Sequence, residues 1–486
     1  MRALRAWAVR RAGFIEAAYG AFSAVIDTMA PIARRVPRRV LEWPLRPIEK
    51  AAKGLVFDCR MCGQCLLSRS GMACPMNCPK ELRNGPCGGI RGDGTCELDA
   101  SMPCVWLQAW AGAGRMKNAA SIRAIQHPVS HRTAGRSTWA AQIYNDDMDR
   151  NWAGMSAPAP DLLAAGAAPL STLHARLAAG AFVVTSEFNP PDSCDPDVIA
   201  DKVKVQAAVC DAVNVTDGAG AHAHISSIAT CAILAARGVE AVMQISCRDR
   251  NRIAIQADAL GATALGIRNV TCMSGDGVSN GDHPDAKPVF DLDAAALLRT
   301  LRLMRDEGRF LSGKRLDRPP PLFLGATANP SAPSTEVEIR RLTKKIEAGA
   351  SYIQTQFCFD MERLDAFMLA FRAEGLHERC KLIVGVGPLN SPRAAEWMRA
   401  HVPGVRIPDA VIARVAAAPD PKAEGRAICV EIIKHVRSMA GVSGVHVMAM
   451  ANRSAVPLIC DAAGIGPRHR EQKASPASGG GGAGGA

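Results

Sequence analysis

Eight cysteines crowd into residues 59–104: Cys59, Cys62, Cys65, Cys74, Cys78, Cys87, Cys96 and Cys104. Glycines lie among them, including Gly63, Gly85, Gly88, Gly89, Gly92 and Gly94. A segment this dense in Cys, Gly and Pro cannot build an ordinary apolar core, so its fold must rest on whatever the thiols bind. The N-terminus lacks the apolar stretch and small-residue cleavage site of a secretory signal. A disulfide framework is therefore not expected, and clustered thiols read as metal or cluster ligands. The first three form Cys-x-x-Cys-x-x-Cys, and Cys74 and Cys78 each precede a proline. Three thiolates at two-residue gaps plus a distant Cys-Pro is the ligand pattern of ferredoxin-type runs. Zinc more often takes two separate Cys-x-x-Cys pairs. Eight thiolates suffice for two four-ligand centres, read here as 4Fe–4S clusters, with zinc or structural thiols as alternatives. The other nine of the seventeen cysteines have no ligand spacing and read as packing residues.

Charge is equally local. Residues 1–56 hold eleven Lys/Arg and four Asp/Glu, +7 of the chain's net +12. Ile15, Tyr19, Phe22, Ile26 and Met29 recur at helical spacing over residues 1–30. That stripe suits packing against the protein itself, with a partner-docking or membrane-surface helix as alternatives. No basic motif interleaved with aromatic residues points to nucleic acid. No run of about 18 apolar residues marks a membrane span. The expectation is a cytoplasmic protein with no nucleic-acid partner and no membrane attachment.

Beyond residue 181, short β-branched runs alternate with Ala/Leu/Arg-rich helical stretches. Strands are predicted at 182–186, 212–215, 241–245, 264–270, 322–324, 352–355, 382–386 and 445–448. Eight strands with helices between most of them match an α/β (β/α)8 TIM barrel, typically ~250 residues. No Gly-x-Gly-x-x-Gly follows the first strand, which argues against a dinucleotide-binding open sheet. The organisation read from these patterns is a basic amphipathic helical segment (1–56), a cysteine-rich metal-binding module (57–110), a connector (111–178), the barrel (179–466) and a disordered Gly-rich tail (467–486).

Barrel sites form just past the C-terminal strand ends. Glu187 follows strand 1, and Thr216 and Asp217 follow strand 2. Gln244 and Ser246 end strand 3. Ser274-Gly275-Asp276-Gly277 follow strand 4, Asn329-Pro330 strand 5 and Gln356 strand 6. A carboxylate leaving an apolar strand suits a general acid, and an amide at the same level can pair with a heterocycle edge. Several convergent polar groups from different strands read as a ligand pocket. The residues alone name no substrate.

Four stretches go further: Ser186-Glu187-Phe188-Asn189-Pro190-Pro191, Met273-Ser274-Gly275-Asp276, Ala348-Gly349-Ala350 and Thr355-Gln356-Phe357-Cys358-Phe359-Asp360. Through them, residues 180–465 resemble methylenetetrahydrofolate reductase. Cys59-Arg60-Met61-Cys62-Gly63-Gln64-Cys65, Cys74-Pro75-Met76-Asn77-Cys78-Pro79-Lys80 and Leu82-Arg83-Asn84-Gly85-Pro86-Cys87-Gly88-Gly89 resemble the small iron–sulfur subunit of acetogenic enzymes of that family.

The resemblance implies a flavoenzyme interconverting 5,10-methylenetetrahydrofolate and 5-methyltetrahydrofolate. Glu187 would be the general acid that opens the five-membered ring. Asp276 would favour the resulting iminium cation, and Gln356 would bind the pterin. Reduced flavin would deliver hydride to the exocyclic carbon. Thr216 and Lys345 match flavin contacts, Lys345 at phosphate, and Ser246, Gly275 and Asn329 lie among the cofactor-binding positions. Three family contacts are replaced: an arginine before Gly-Asp by Ser274, a histidine on strand 3 by Gln244, and a tyrosine after strand 5 by Thr327. The flavin is thus FAD or FMN, and the donor a ferredoxin-like or NAD(P)H-linked partner. A homo-oligomer is also expected. A pterin-binding methyl-transfer component and a non-catalytic electron-transfer or assembly subunit stay open as alternatives.

Overall fold

In the computed structural model, residues 2–146, 160–164, 166–450 and 452–467 are described. The apolar runs form eight strands: β1 (Val183–Phe188), β2 (Ala212–Val215), β3 (Ala241–Ser246), β4 (Asn269–Met273), β5 (Phe323–Ala328), β6 (Tyr352–Phe357), β7 (Lys381–Val386) and β8 (Val442–Val447). Each pairs in parallel with the next, and β8 closes on β1. The expected (β/α)8 barrel is therefore the observed architecture.

Helices precede and surround the barrel. Ahead of β1 lie α1 (Arg2–Arg10), α2 (Ala12–Ala33), α3 (Arg38–Phe57), α4 (Val105–Ala113), α5 (Thr138–Ile143) and α6 (Thr172–Ala178). Between β1 and β5 come α7 (Pro196–Ala207), α8 (Ser227–Ala235), α9 (Arg252–Ala264) and α10 (Ala294–Glu307). Then follow α11 (Thr335–Ala348), α12 (Met361–Ala373), α13 (Leu376–Arg379), α14 (Pro392–His401), α15 (Asp409–Ala417), α16 (Pro421–Ser438) and α17 (Ala455–Ala463). Capping side chains set most barrel-helix starts: Asp195, Ser226, Asn251, Asp293, Ser334, Asp360 and Asp420 each accept a backbone N–H of the first turn.

Strand alternation divides the side chains into two sets. Val184, Val213, Met243, Val270, Leu324 and Ile353 face outward into the core shared with the helices. Val183, Ala212, Val242, Phe323, Tyr352 and Ile383 face inward and pack on Leu173 and Leu177 of α6, which plugs the barrel floor. Gly325 is required here, because a Cβ would lie 2.2 Å from the Tyr352 ring. One layer higher the interior turns polar. Asn214 donates to Gln354 at 2.6 Å, and Gln354 donates back to Asn214 and to Thr185. Higher still, the inward positions open into the mouth.

Several expectations are corrected. Strand 4 is not 264–270: Ala264 closes α9, Gly266 turns the chain at φ 87°, and the strand runs Asn269–Met273. An Ala-rich helix end cannot be told from a buried strand by apolarity alone. Glu187 and Gln356 are the penultimate residues of β1 and β6 and do not lie beyond them. Residues 1–30 form two helices, and their predicted stripe is only partly covered: Ile26 is buried, whereas Met29 is 60% exposed. Of the nine outlying cysteines, eight are buried and Cys194 is exposed. Within 111–178, α5 and α6 are ordered elements. The expected disordered tail lies, apart from Pro467, outside the described residues. No helix among the described residues is long and apolar enough to cross a membrane.

Candidate active site

The upper layer surrounds a cavity of about 280 Å³ at the C-terminal mouth of the barrel. All eleven predicted catalytic and cofactor-binding positions line it: Glu187, Thr216, Gln244, Ser246, Ser274, Gly275, Asp276, Thr327, Asn329, Lys345 and Gln356. Met273, Ala328, Val402 and Met448 give it apolar faces. A ring of polar edges around apolar faces suits a flat heterocycle.

Glu187 leaves β1 with its backbone carbonyl held by the Gln206 amide at 2.7 Å. Its carboxylate is about a quarter exposed and lies 3.9 Å from His446 Nε2. The opposite ring nitrogen, Nδ1, pairs with Thr185 Oγ1 at 2.9 Å. Asp276 sits at the exposed rim, where Oδ2 accepts from the Gly220 N–H at 3.4 Å. Gln356 donates to the Pro403 carbonyl at 3.1 Å. Gly275 adopts φ 87°, and a Cβ there would lie 2.3 Å from Ser246 Oγ, so the backbone itself forms this wall. Lys345 donates to the Thr327 carbonyl at 2.6 Å. Complete burial, with Arg341 nearby, pulls its ammonium well below the ordinary lysine range.

The remaining wall comes from the cysteine segment. Lys80, Cys87, Gly88, Gly89 and Glu97 line the same cavity. Lys80 Nζ donates to the Gly275 carbonyl at 2.8 Å and forms a buried ion pair with Glu97. Asn329 donates to the Gly88 carbonyl at 3.1 Å. Lys80 and Glu97, with Arg248, Arg341 and His446, are cavity residues that strand-end reasoning does not find. His446 alone had a local signal, as a polar residue inside a predicted strand.

The eight thiols fall into two neighbourhoods. Cys59, Cys62, Cys65 and Cys74 border one pocket. The thiols of Cys59, Cys62 and Cys65 bear electrostatically on Cys74, whose own thiol burial pushes up to about 12. Cys96 and Cys104 act in the same way on Cys78, which burial pushes up to about 11. Cys87 neighbours Cys78 and lies 3.1 Å from the Glu97 carboxylate. Among the described residues, no three such side chains converge closely enough to hold a single metal ion. Burial favours the protonated thiol at Cys74 and Cys78, so a cation that binds there must displace the proton.

A family model described as methylenetetrahydrofolate reductase matches residues 172–464. A second, described as methylene-tetrahydrofolate reductase C terminal, matches residues 42–132 and takes in the whole cysteine segment. A 5,10-methylenetetrahydrofolate reductase of Pectobacterium carotovorum subsp. carotovorum is 25% identical over 234 residues, covering 47% of this chain and 72% of the relative. Methylenetetrahydrofolate reductase 1 of Schizosaccharomyces pombe is 24% identical over 238 residues, covering 47% of this chain and 36% of the relative. Among solved structures, a Clostridium thermocellum protein that binds two copies of 5-methyl-5,6,7,8-tetrahydrofolic acid aligns at a TM-score of 0.43 and 14% identity. That alignment covers 60% of this chain and 98% of the other.

Proposed function

The chain belongs to the methylenetetrahydrofolate reductase family, and from that premise we propose that it reduces 5,10-methylenetetrahydrofolate to 5-methyltetrahydrofolate at the barrel mouth. The observation that carries this reading is the convergence of Glu187 from β1, Asp276 from the loop after β4 and Gln356 from β6 on one cavity. Glu187 is the general acid: it delivers a proton to the folate ring nitrogen that leaves as the five-membered ring opens. Asp276 places a carboxylate beside the resulting iminium cation. Gln356 turns from Pro403 to the amide edge of the pterin. His446 holds Glu187 toward the cavity.

A flavin fits the cavity by its donor set and by the apolar faces of Met273, Ala328 and Met448. Thr216, Gln244, Ser246, Thr327, Asn329 and Lys345 would hold it. When bound and reduced, it supplies the hydride. The cysteine segment is read as a module with two centres, Cys59/Cys62/Cys65/Cys74 and Cys78/Cys87/Cys96/Cys104. The Cys-x-x-Cys-x-x-Cys run with a distant Cys-Pro favours clusters over zinc. Electrons would enter from a ferredoxin-like or NAD(P)H-linked donor.

The test is a reductase assay on anaerobically purified protein, with iron, zinc and flavin counted per chain. Glu187→Gln is expected to lower turnover by about 10²–10⁴-fold, the usual scale for a general acid. Unimpaired turnover in that variant removes Glu187 from the role.

A further inference from the structure

We infer that Lys80, contributed by the cysteine segment, is a cofactor-binding residue of the barrel cavity, supplying the cation that the loop after β4 lacks. The inference rests on the flavin reading above. Its basis is placement. Lys80 is 3% exposed and lines the same cavity as Ser274, Gly275 and Asp276. Its ammonium donates to the Gly275 carbonyl at 2.8 Å, directly beside Ser274. Ser274 stands where the resemblance implies arginine, and the barrel's nearest cation, Arg248 packed against Gly275, is held by Asp249.

The other cations of the wall are committed. Arg248 is held bidentate by Asp249 at 2.8 and 2.7 Å, and Arg341 by Glu338 at 2.7 and 2.5 Å. Lys345 is drawn to the Thr327 carbonyl. Lys80 uses two of its three N–H donors, on Gly275 and Glu97, among the described residues. The ammonium also lies 5.7 Å from the Phe290 ring centroid, a contact that leaves the third N–H able to turn to the carbonyl- and anion-bearing edge of a flavin. A charge-assisted bond in a water-poor wall is among the stronger single contacts a ligand can gain. The site is complete only when the cysteine segment is docked on the barrel.

The experiment is anaerobic titration of the flavin-stripped full chain with FMN and with FAD, followed by quenching of flavin fluorescence. Lys80→Met is expected to weaken binding by about 10–100-fold, the loss of one hydrogen bond to a charged group. Lys80→Arg keeps the charge and is expected to bind at least about tenfold better than Lys80→Met. Should Lys80→Met not accumulate as folded protein, Lys80→Gln carries the same comparison. Equal affinity in parent and neutral variant overturns the role of Lys80 alone. Equal loss in the neutral variant and Lys80→Arg also overturns it, in favour of a purely structural bridge to Gly275. A parent that takes up no flavin overturns the cofactor reading and this role together.

Discussion

His446 is the residue that links the barrel interior to the chemistry at its mouth. It rises from the polar layer, anchored to Thr185 at 2.9 Å, and faces Glu187 at 3.9 Å. Removing the imidazole leaves Thr185 without this buried partner and lets the Glu187 carboxyl swing. His446→Ala is therefore expected to lower kcat by about tenfold, the equivalent of one buried hydrogen bond. KM should stay within about threefold, because His446 is assigned no substrate contact. Steady-state kinetics with both constants resolved checks this, and a KM effect larger than the kcat effect contradicts the positioning role. At this scale much of the site was legible in the sequence. Glu187, Asp276 and Gln356 stand at strand ends, where a barrel puts its chemistry, and local motif carried them. Lys80 and Glu97 were not legible, because nothing beside them in the chain refers to a barrel.

Helix α3 is tied to the start of α5 by a buried polar cluster. On α3, Lys53 donates to Glu49 at 2.6 Å and to Thr138 at 2.7 Å. Ser137 donates to the second Glu49 oxygen at 2.6 Å. The Lys53 ammonium also sits 5.4 Å from the Trp139 ring centroid. Glu49→Ala leaves a buried ammonium unpaired and is expected to cost about 3–5 kcal/mol. Urea unfolding followed by Trp139 fluorescence measures it. Burial raises the Glu49 carboxyl, but Lys53 and the hydroxyls outweigh it and hold the group below its ordinary 4.5. A lowered carboxyl stabilises the fold above 4.5 and loses that contribution as pH falls through its lowered value. The gap between parent and Glu49→Ala should thus narrow in acid; a constant gap contradicts the ion pair. Element type was legible wherever the period was strong. The fourth strand slipped because the end of α9 is as apolar as a strand. The stripe on α2 was over-read because period alone does not say which side is covered.

Across the whole molecule, the cysteine segment and the connector after it are docked on the barrel through polar contacts that carry no motif. Asp293 caps α10 by accepting from the Ala296 N–H, and its carboxylate also accepts from the Arg83 N–H at 3.0 Å and from the Asn84 amide. Lys344 of α11 donates to the Ile122 carbonyl at 2.8 Å, and Arg252 of α9 to that of Val129 at 2.7 Å. Asp293→Ala removes a cap and orphans two buried donors, an expected cost of about 2–4 kcal/mol. Hydrogen exchange should rise selectively around Arg83 and Asn84 while β1–β8 stay protected. Uniform exposure of the barrel would instead mean that Asp293 serves only the helix.

The sequence by itself determined the barrel, the identity of its mouth residues and the presence of a thiol-rich segment. Strand alternation, helix caps and Cys-x-x-Cys spacing are local rules, and local rules are written in neighbouring residues. Only the tertiary structure decided which thiols are neighbours and that Cys87 lines the cavity at the barrel mouth. It alone brought Lys80 to Gly275, 195 positions away in the chain. That meeting follows from many individually weak surface contacts, no one of which has a signature in sequence.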